Sequence, residues 1–420
     1  MSMLENMQNV SINRRSLVAG AAGLGLAGVL AGCSNEGDGS GAGSASGSAS
    51  GSAFMIGGIG PTTGDAAIYG NGVRIGAQIA IDEINAEGGD IQFDYNFQDD
   101  ENDAERSVNA YNNLKDWGMQ ILVGTVTTAP CVAVSAETNA DNMFQITPSG
   151  SSTDVIGGQP DADGNIATPR KENVFQMCFT DPNQGAASAQ YISEQGLGTK
   201  IAIIYNNSDT YSTGIYQSFM SEASELGLEV VSEQAFTNDS ATDFSVQLNA
   251  ARDAEADLVF LPIYYQEASQ VLIAADRIGY EPTFFGCDGM DGILGVDGFD
   301  TAIANGLMML CPFSAYGEDE TTVTFVTNYK AAFNDETPNQ FAADAYDCVY
   351  AIYQCVQDGT ITPDMSVSDM CDALKGAFTT MTFSGTTGEG QTWDENGMIS
   401  KEPKVYIIQD GAYVLAEGEA

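Results

Sequence analysis

The sequence predicts an α/β protein of two lobes, each a doubly wound parallel sheet, with a ligand cleft between them. Three observations carry this. Apolar stretches of strand length alternate with stretches of helical period along most of the 420 residues. The order strand, helix, strand, helix, strand occurs twice, at similar length. Polar clusters fall just after the strands, where doubly wound sheets bind their ligands.

The first run opens with the apolar strand Phe54 to Ile59. Val73, Ala77, Ala80, Ile81 and Ile84 then mark one helix face, which stops at Gly88-Gly89. Ile91 to Phe97 alternates as a strand does. Ala104, Val108, Tyr111 and Leu114 give a second helix, and Gln120 to Gly124 a third strand. The second run begins with a strand at Lys200 to Tyr205 and a helix face of Ile215, Phe219, Ala223 and Leu226. It continues with a strand at Leu228 to Phe236, a helix at Phe244, Leu248 and Ala251, and a buried strand at Asp257 to Leu261. Ala268, Val271, Leu272, Ala275 and Ile278 close it as a further helix face.

Composition narrows the chemistry. Hydrophobic residues make up 43% of the chain, enough for a real core. There is no His, which excludes Ser-His-Asp and Cys-His catalysis and His-held zinc or haem. With 14 Lys+Arg against 58 Asp+Glu, the net charge of −44 argues against a nucleic-acid partner. No Walker A loop or G-x-S-x-G is present, and Gly57-Gly58-Ile59-Gly60 lacks the G-x-G-x-x-G spacing, so no enzyme, cofactor or dinucleotide site is expected. The acidic run Asp99 to Asp103 lacks EF-hand spacing, and no metal is expected.

Residues 1–32 read as an export signal. Arg14-Arg15 precede a weakly apolar run, Ser16 to Leu30, that is too short to span a bilayer. The run closes on Leu30-Ala31-Gly32-Cys33. Residues 13–18 resemble a twin-arginine signal, and Leu-Ala-Gly-Cys resembles a bacterial lipoprotein box with Cys33 as the lipidated residue. Of residues 34–53, 17 of 20 are Gly, Ser or Ala, a flexible leash. The expectation is a body tethered by Cys33 to the extracytoplasmic face of the cell membrane.

Three polar clusters stand out. Thr125 to Pro130 reads as a helix start, suited to a carboxylate or to ordinary capping. Pro148 to Thr153 follows the short strand Phe144 to Thr147 and reads as a ligand loop or a polar turn. In the second run, Tyr211, Tyr264 and Asp288 follow strands. Aromatic walls and a carboxylate suit an ammonium, whereas any single Tyr by itself reads first as a half-buried structural aromatic.

Gly60-Pro61-Thr62-Thr63-Gly64, Tyr69-Gly70, Ile81 to Gly89 and Asp99-Asp100 resemble the opening of branched-chain-amino-acid-type binding proteins. These are extracytoplasmic receptors of ABC importers, with the type I periplasmic-binding fold. Ile146 to Ser149, Val259-Phe260 with Tyr264, and Phe285 to Gly289 continue the likeness, over about residues 54–412. The resemblance implies a role for each matching residue. Thr128 and its helix start meet the ligand carboxylate. Ser149 offers its carbonyl to the ammonium, and Ser151 its hydroxyl and N–H. Asp288 is the ammonium counter-ion, where some relatives carry Glu. Tyr69, Tyr211 and Tyr264 line the cleft. Met290, Ile263 and Tyr69 are placed to touch an apolar ligand side chain. It also implies three crossovers, near Phe179 to Asp181, Pro312-Phe313 and Ser400-Lys401. Lobe 1 is then 54–178 plus 313–400, and lobe 2 is 179–312 plus 401–420, closing by hinge motion as a monomer.

The implied function is capture of an amino acid, apolar or branched-chain-like, for an ABC importer permease. A shorter Asp in place of Glu leaves room for a β- or γ-amino acid. Two alternatives stay open: a ligand-sensing receptor of the same fold, and an importer receptor for a small amide or urea. Seven Cys remain beside Cys33. Cys348 and Cys355 lie ~10.5 Å apart along one helix and cannot bridge. Cys178 and Cys311 fall near two implied crossovers, where a disulfide is one expectation and buried free thiols the other.

Overall fold

The computed structural model describes residues 53–159, 166–401 and 404–416. The leader, Cys33 and the Gly/Ser stretch up to residue 52 lie outside the described residues. The strand–helix alternation builds a first sheet from β1 (Phe54–Gly60), β2 (Phe93–Asp99), β3 (Ile121–Gly124), β4 (Phe144–Thr147) and β5 (Val174–Gln176). Its order is β2-β1-β3-β4-β5, parallel throughout. Helices α1 (Ala67–Ala86), α2 (Ala104–Trp117), α3 (Thr128–Asp141) and the single turn α4 (Thr153–Ile156) connect these strands. β3 and β4 are buried at every residue, as parallel strands covered on both faces are. Their continuous apolar runs, rather than alternation, follow from that burial.

After α5 (Asp181–Gln195) the chain enters a second sheet. Its strands β6 (Ile201–Asn206), β7 (Val230–Phe236), β8 (Leu258–Leu261), β9 (Thr283–Gly286) and β10 (Met308–Cys311) pair in parallel in the order β10-β9-β8-β6-β7. Helices α6 (Thr210–Leu226), α7 (Ser245–Asp253) and α8 (Tyr265–Ile278) join them. Each predicted strand and helix of the two runs is present, with boundaries shifted by a few residues.

Beyond β10 the chain forms α9 (Glu320–Ala332), α10 (Gln340–Val356), α11 (Val367–Phe378) and a small hairpin, β11 (Phe383–Gly385) with β12 (Gly388–Gln391). α10 packs along α1, and α11 against β4. Close approach of α1 and α10 requires Gly76, where a Cβ would stand 2.0 Å from the Ala342 carbonyl oxygen. The chain then returns to the second sheet as β13 (Lys404–Gln409) and β14 (Ala412–Leu415). Both run antiparallel, so this sheet is mixed rather than purely parallel. The cause is local. Asp410 and Gly411 have φ of 51° and 76°, the two-residue hairpin turn that an Asp-Gly pair favours.

Thus the chain passes from the first sheet to the second after β5, back to α1 after β10, and to the second sheet again after β12. At the third passage Lys401 is buried and paired with Asp344 on α10; each side chain is 1% exposed. Its Nζ also donates to Thr387 Oγ1 at 2.8 Å. The Cys178–Cys311 disulfide is not formed. All seven described cysteines are free, and the Cys311 thiol donates to the Phe313 carbonyl at 2.8 Å. Both residues are buried, which pushes their thiols up and suits them to packing as small apolar groups. No helix among the described residues is long and apolar enough to cross a membrane.

Candidate functional site

β3 ends at Gly124, and the chain turns through Thr125 to Thr127 into α3, whose first residue is Thr128. Thr127 holds the capping position but its side chain makes no cap hydrogen bond. Its hydroxyl donates instead to Asn102 Oδ1 at 2.6 Å. A helix start left without its side-chain cap keeps N–H donors for an anion. The loop after β4 is tied to this turn. Ser149 Oγ donates to the Val126 carbonyl at 2.6 Å, and Thr147 Oγ1 to the Thr125 carbonyl at 2.7 Å.

From the second sheet, Tyr211 enters on the first turn of α6, and Asp288 opens a short 3-10 turn after β9. Tyr211 donates its hydroxyl hydrogen to Asp288 Oδ1 at 2.7 Å and accepts the Gly289 N–H at 2.9 Å. The Asp288 N–H donates to Gln184 Oε1 at 3.2 Å, and its carbonyl accepts from Gln340 Nε2 at 3.1 Å. Burial pushes the Asp288 carboxyl up to about 7, against which the Tyr211 and Gln184 hydrogen bonds pull it down. Tyr264, which caps α8, stacks on Tyr211 at 4.8 Å with ring planes 9° apart. Tyr69 on α1 closes the arrangement, its hydroxyl donating to the Gly289 carbonyl across the cleft. Phe341 meets Tyr69 edge-on at 4.8 Å.

Tyr69, Thr128, Ser149, Tyr211, Tyr264 and Asp288 all line one small cavity, together with Val126, Thr127, Gly289 and Phe341. Ser151 does not line it; this buried residue accepts the Asp181 N–H on its carbonyl at 3.0 Å. Met290 and Ile263 are buried, 0% and 1% exposed, and do not line this cavity. Met290 lies under Gly286, where a Cβ would stand 1.7 Å from its sulfur. The cavity has no Lys or Arg in its lining and a volume of about 10 Å³, space for about one water.

Sequence reasoning missed several of these groups. Phe341 and Gln340 open α10, and the signal for that helix start was present in Asn339, whose side chain caps the Ala342 N–H at 3.0 Å. Asp181 fell in an implied crossover and was not weighed as a site residue. It is 2% exposed, and neither carboxylate oxygen has a hydrogen-bond partner of proper geometry. Burial pushes its carboxyl well above the ordinary range, the neighbouring Asp288 charge adds to this, and the Ser151 hydroxyl beside it opposes. Asp99 and Asp100 each accept hydrogen bonds from nearby residues. Asp99 accepts the Thr62 N–H at 2.8 Å and the Thr63 hydroxyl at 2.6 Å, and Asp100 accepts the Ser107 hydroxyl at 2.7 Å. No metal-holding cluster occurs among the described residues.

Comparison with known proteins agrees with this architecture. A family model for periplasmic binding proteins matches residues 54–412. The Leu/Ile/Val-binding protein BraC3 of Rhizobium johnstonii is 26% identical over 378 residues, covering 86% of this chain and 93% of the relative. The branched-chain amino acid transporter substrate-binding protein LivJ of Streptococcus pneumoniae, solved with isoleucine, is 25% identical with a TM-score of 0.76. That match covers 87% of this chain and 99% of LivJ. A solute-binding protein of R. palustris, solved with benzoate, shares the fold at 18% identity and a TM-score of 0.73, over 87% and 95% of the two chains. The chain belongs to the periplasmic binding protein family, among its branched-chain-amino-acid-type members with the type I fold, and is a binding protein rather than an enzyme.

Proposed function

We propose that this chain is the extracytoplasmic receptor lipoprotein of an ABC importer and captures an amino acid between its lobes. The observation that carries the reading is the bipolar cleft. Asp288, buried and clasped by Tyr211, shares one cavity with the uncapped start of α3, and no cation lines that cavity. A zwitterion satisfies both poles, its ammonium at Asp288 and its carboxylate at Thr128. Asp181 adds a second carboxylate to that side. The aromatic walls of Tyr69, Tyr264 and Phe341 favour an apolar or branched side chain.

The cavity that Asp288 shares with Thr128 holds only about 10 Å³. The ligand therefore enters with the lobes apart and is enclosed as they close. The moving bodies are 54–178 plus 313–400 and 179–312 plus 401–420. Residues 1–32 serve as the signal, and lipid on Cys33 with the leash to residue 53 holds the body at the membrane. A benzoate-type ligand fits less well, because its bare carboxylate brings no partner for Asp288. A neutral amide or urea is the second reading, since the same groups can hydrogen-bond it.

The test is thermal shift of the refolded, ligand-stripped chain against leucine, isoleucine, valine, γ-aminobutyrate, urea and benzoate. A ligand at 100 times its Kd adds about 2.7 kcal/mol, a shift of a few degrees. Stabilisation by the branched amino acids, lost in Asp288→Ala, supports the proposal. Stabilisation by urea or benzoate alone overturns the amino-acid reading.

A further inference from the structure

A second cavity, of about 480 Å³, lies apart from the cleft and is far larger than it. One side is made by the start of α1 (Ala67, Ile68, Asn71), the end of α9 (Tyr329, Phe333) and residues 336–339 before α10. The other side is made by Asp291, Gly292, Leu294, Gly295, Thr301 and the β13–β14 hairpin with Gly411 and Tyr413. Its volume is in the range of small-molecule sites.

The lining has one chemical character. Tyr316, Tyr329, Phe333 and Tyr413 supply aromatic surface, and Asp291 and Glu336 supply carboxyl groups. No Lys or Arg lines it. Arg74 stands near Tyr329, with its guanidinium donating to Asn71 Oδ1 at 3.3 Å. Asp291 is 2% exposed and held in place: Oδ2 accepts the Gln340 N–H at 2.6 Å, and the Asp291 N–H donates to the Asp288 carbonyl at 2.9 Å. Glu336 and Tyr316 are exposed.

Each candidate class of occupant meets a different fate. An anion finds two carboxylates and no lining cation. A metal ion finds no group of three His, Cys, Asp or Glu among the described residues. A compact organic cation with an apolar shell finds both things it needs, aromatic faces and a buried carboxylate. We propose that this cavity is a second ligand site, for a small quaternary ammonium, built by Asp291, Glu336, Tyr316, Tyr329, Phe333 and Tyr413. Burial pushes the Asp291 carboxyl up to about 6, so it is largely ionised at pH 7.5. The proposal does not rest on which solute the cleft takes, although its two walls belong to the two proposed lobes.

The test is calorimetric titration of the ligand-stripped full chain with choline at pH 7.5, with sodium chloride at matched ionic strength as the blank. The expected result is saturable uptake of one choline per chain. Tyr316→Ala and Glu336→Gln should each weaken it by about tenfold, and both change exposed side chains that the fold does not need. Uptake should persist in Asp288→Asn, which disables the cleft. Absence of saturable uptake overturns the site. So does uptake that survives Tyr316→Ala and Glu336→Gln but is lost in Asp288→Asn, because choline is then in the cleft. The amino-acid reading of the cleft stands or falls separately, on its own thermal-shift panel.

Discussion

Asp288 concentrates the chemistry of the cleft at one residue. Its carboxyl rises from an ordinary 3.8 to about 7 on folding, chiefly because it is buried. The unfolded chain therefore releases this proton first. The group's contribution to stability falls as pH rises from about 4 to about 7, and is level above that. Denaturant melts of the unliganded protein should show that slope, reduced in Asp288→Asn, which should be more stable than the parent at pH 7.5 by about 1–3 kcal/mol. Binding runs the other way. Asp288→Asn should weaken an amino acid by about a hundredfold or more, and affinity in the parent should fall by up to about tenfold per pH unit below 7. Calorimetry at pH 5, 6 and 7 checks both, and an affinity indifferent to pH and to the substitution would remove Asp288 from the ammonium site. Thr128, Tyr211, Tyr264 and Asp288 were legible in the sequence because strand ends point at clefts. Gln340, Phe341 and Asp181 were not, because they reach this region through packing between segments far apart in the chain.

At the scale of elements, two contacts join segments far apart in the chain. α1 lies on α10 through Gly76, so Gly76→Val should force the helices apart and cost about 2–4 kcal/mol in denaturant unfolding. A Gly76→Ser variant of unchanged stability would show that the helices have room there. Lys401, at the third passage between sheets, is buried against Asp344, whose carboxyl is itself pushed up to about 6 by burial, with the Lys401 charge opposing. Lys401→Met should cost about 3–5 kcal/mol, because it strands a buried carboxylate. The double variant Lys401→Met/Asp344→Leu should recover most of that loss, a cycle that chemical melts can close. A double variant as weak as the single one would assign the loss to packing instead. The strands of the two βαβ runs were readable from apolar runs and Gly punctuation. The antiparallel β13–β14 pair was missed, although Val405 to Ile408 and Asp410-Gly411 signal a hairpin, because nothing local says which sheet the returning chain joins.

For the whole molecule, charge is the dominant fact. With 58 acids against 14 bases, few carboxylates can find a cation. Among the described residues the ion pairs other than Lys401–Asp344 involve partly exposed side chains. Such pairs add little, so repulsion among the remaining carboxylates is largely uncompensated. Raising sodium chloride from 0.1 M to 2 M should therefore raise Tm by several degrees, as the screening length contracts from about 10 Å to below 3 Å. A Tm flat across that range would mean that surface repulsion does not limit stability. Small-angle scattering adds a second expectation at this scale. An amino acid that closes the lobes should reduce the radius of gyration, and Asp288→Asn should not respond.

The sequence alone determined the α/β class and the two-lobed plan, and it singled out several residues that share one cavity. Those features rest on local periodicity, on turn chemistry and on motifs that sit within a few residues of one another. Only the tertiary structure decided which clusters share a cavity. It turned the Thr127 hydroxyl away from its helix start, placed Met290 and Ile263 in the core, and left Cys178 and Cys311 as free thiols. It also opened an aromatic, acidic cavity beside the cleft from segments as distant as Ala67 and Tyr413. The physical reason is the same in each case. Burial and cavity shape come from contacts between remote segments, and no local pattern in the chain encodes them.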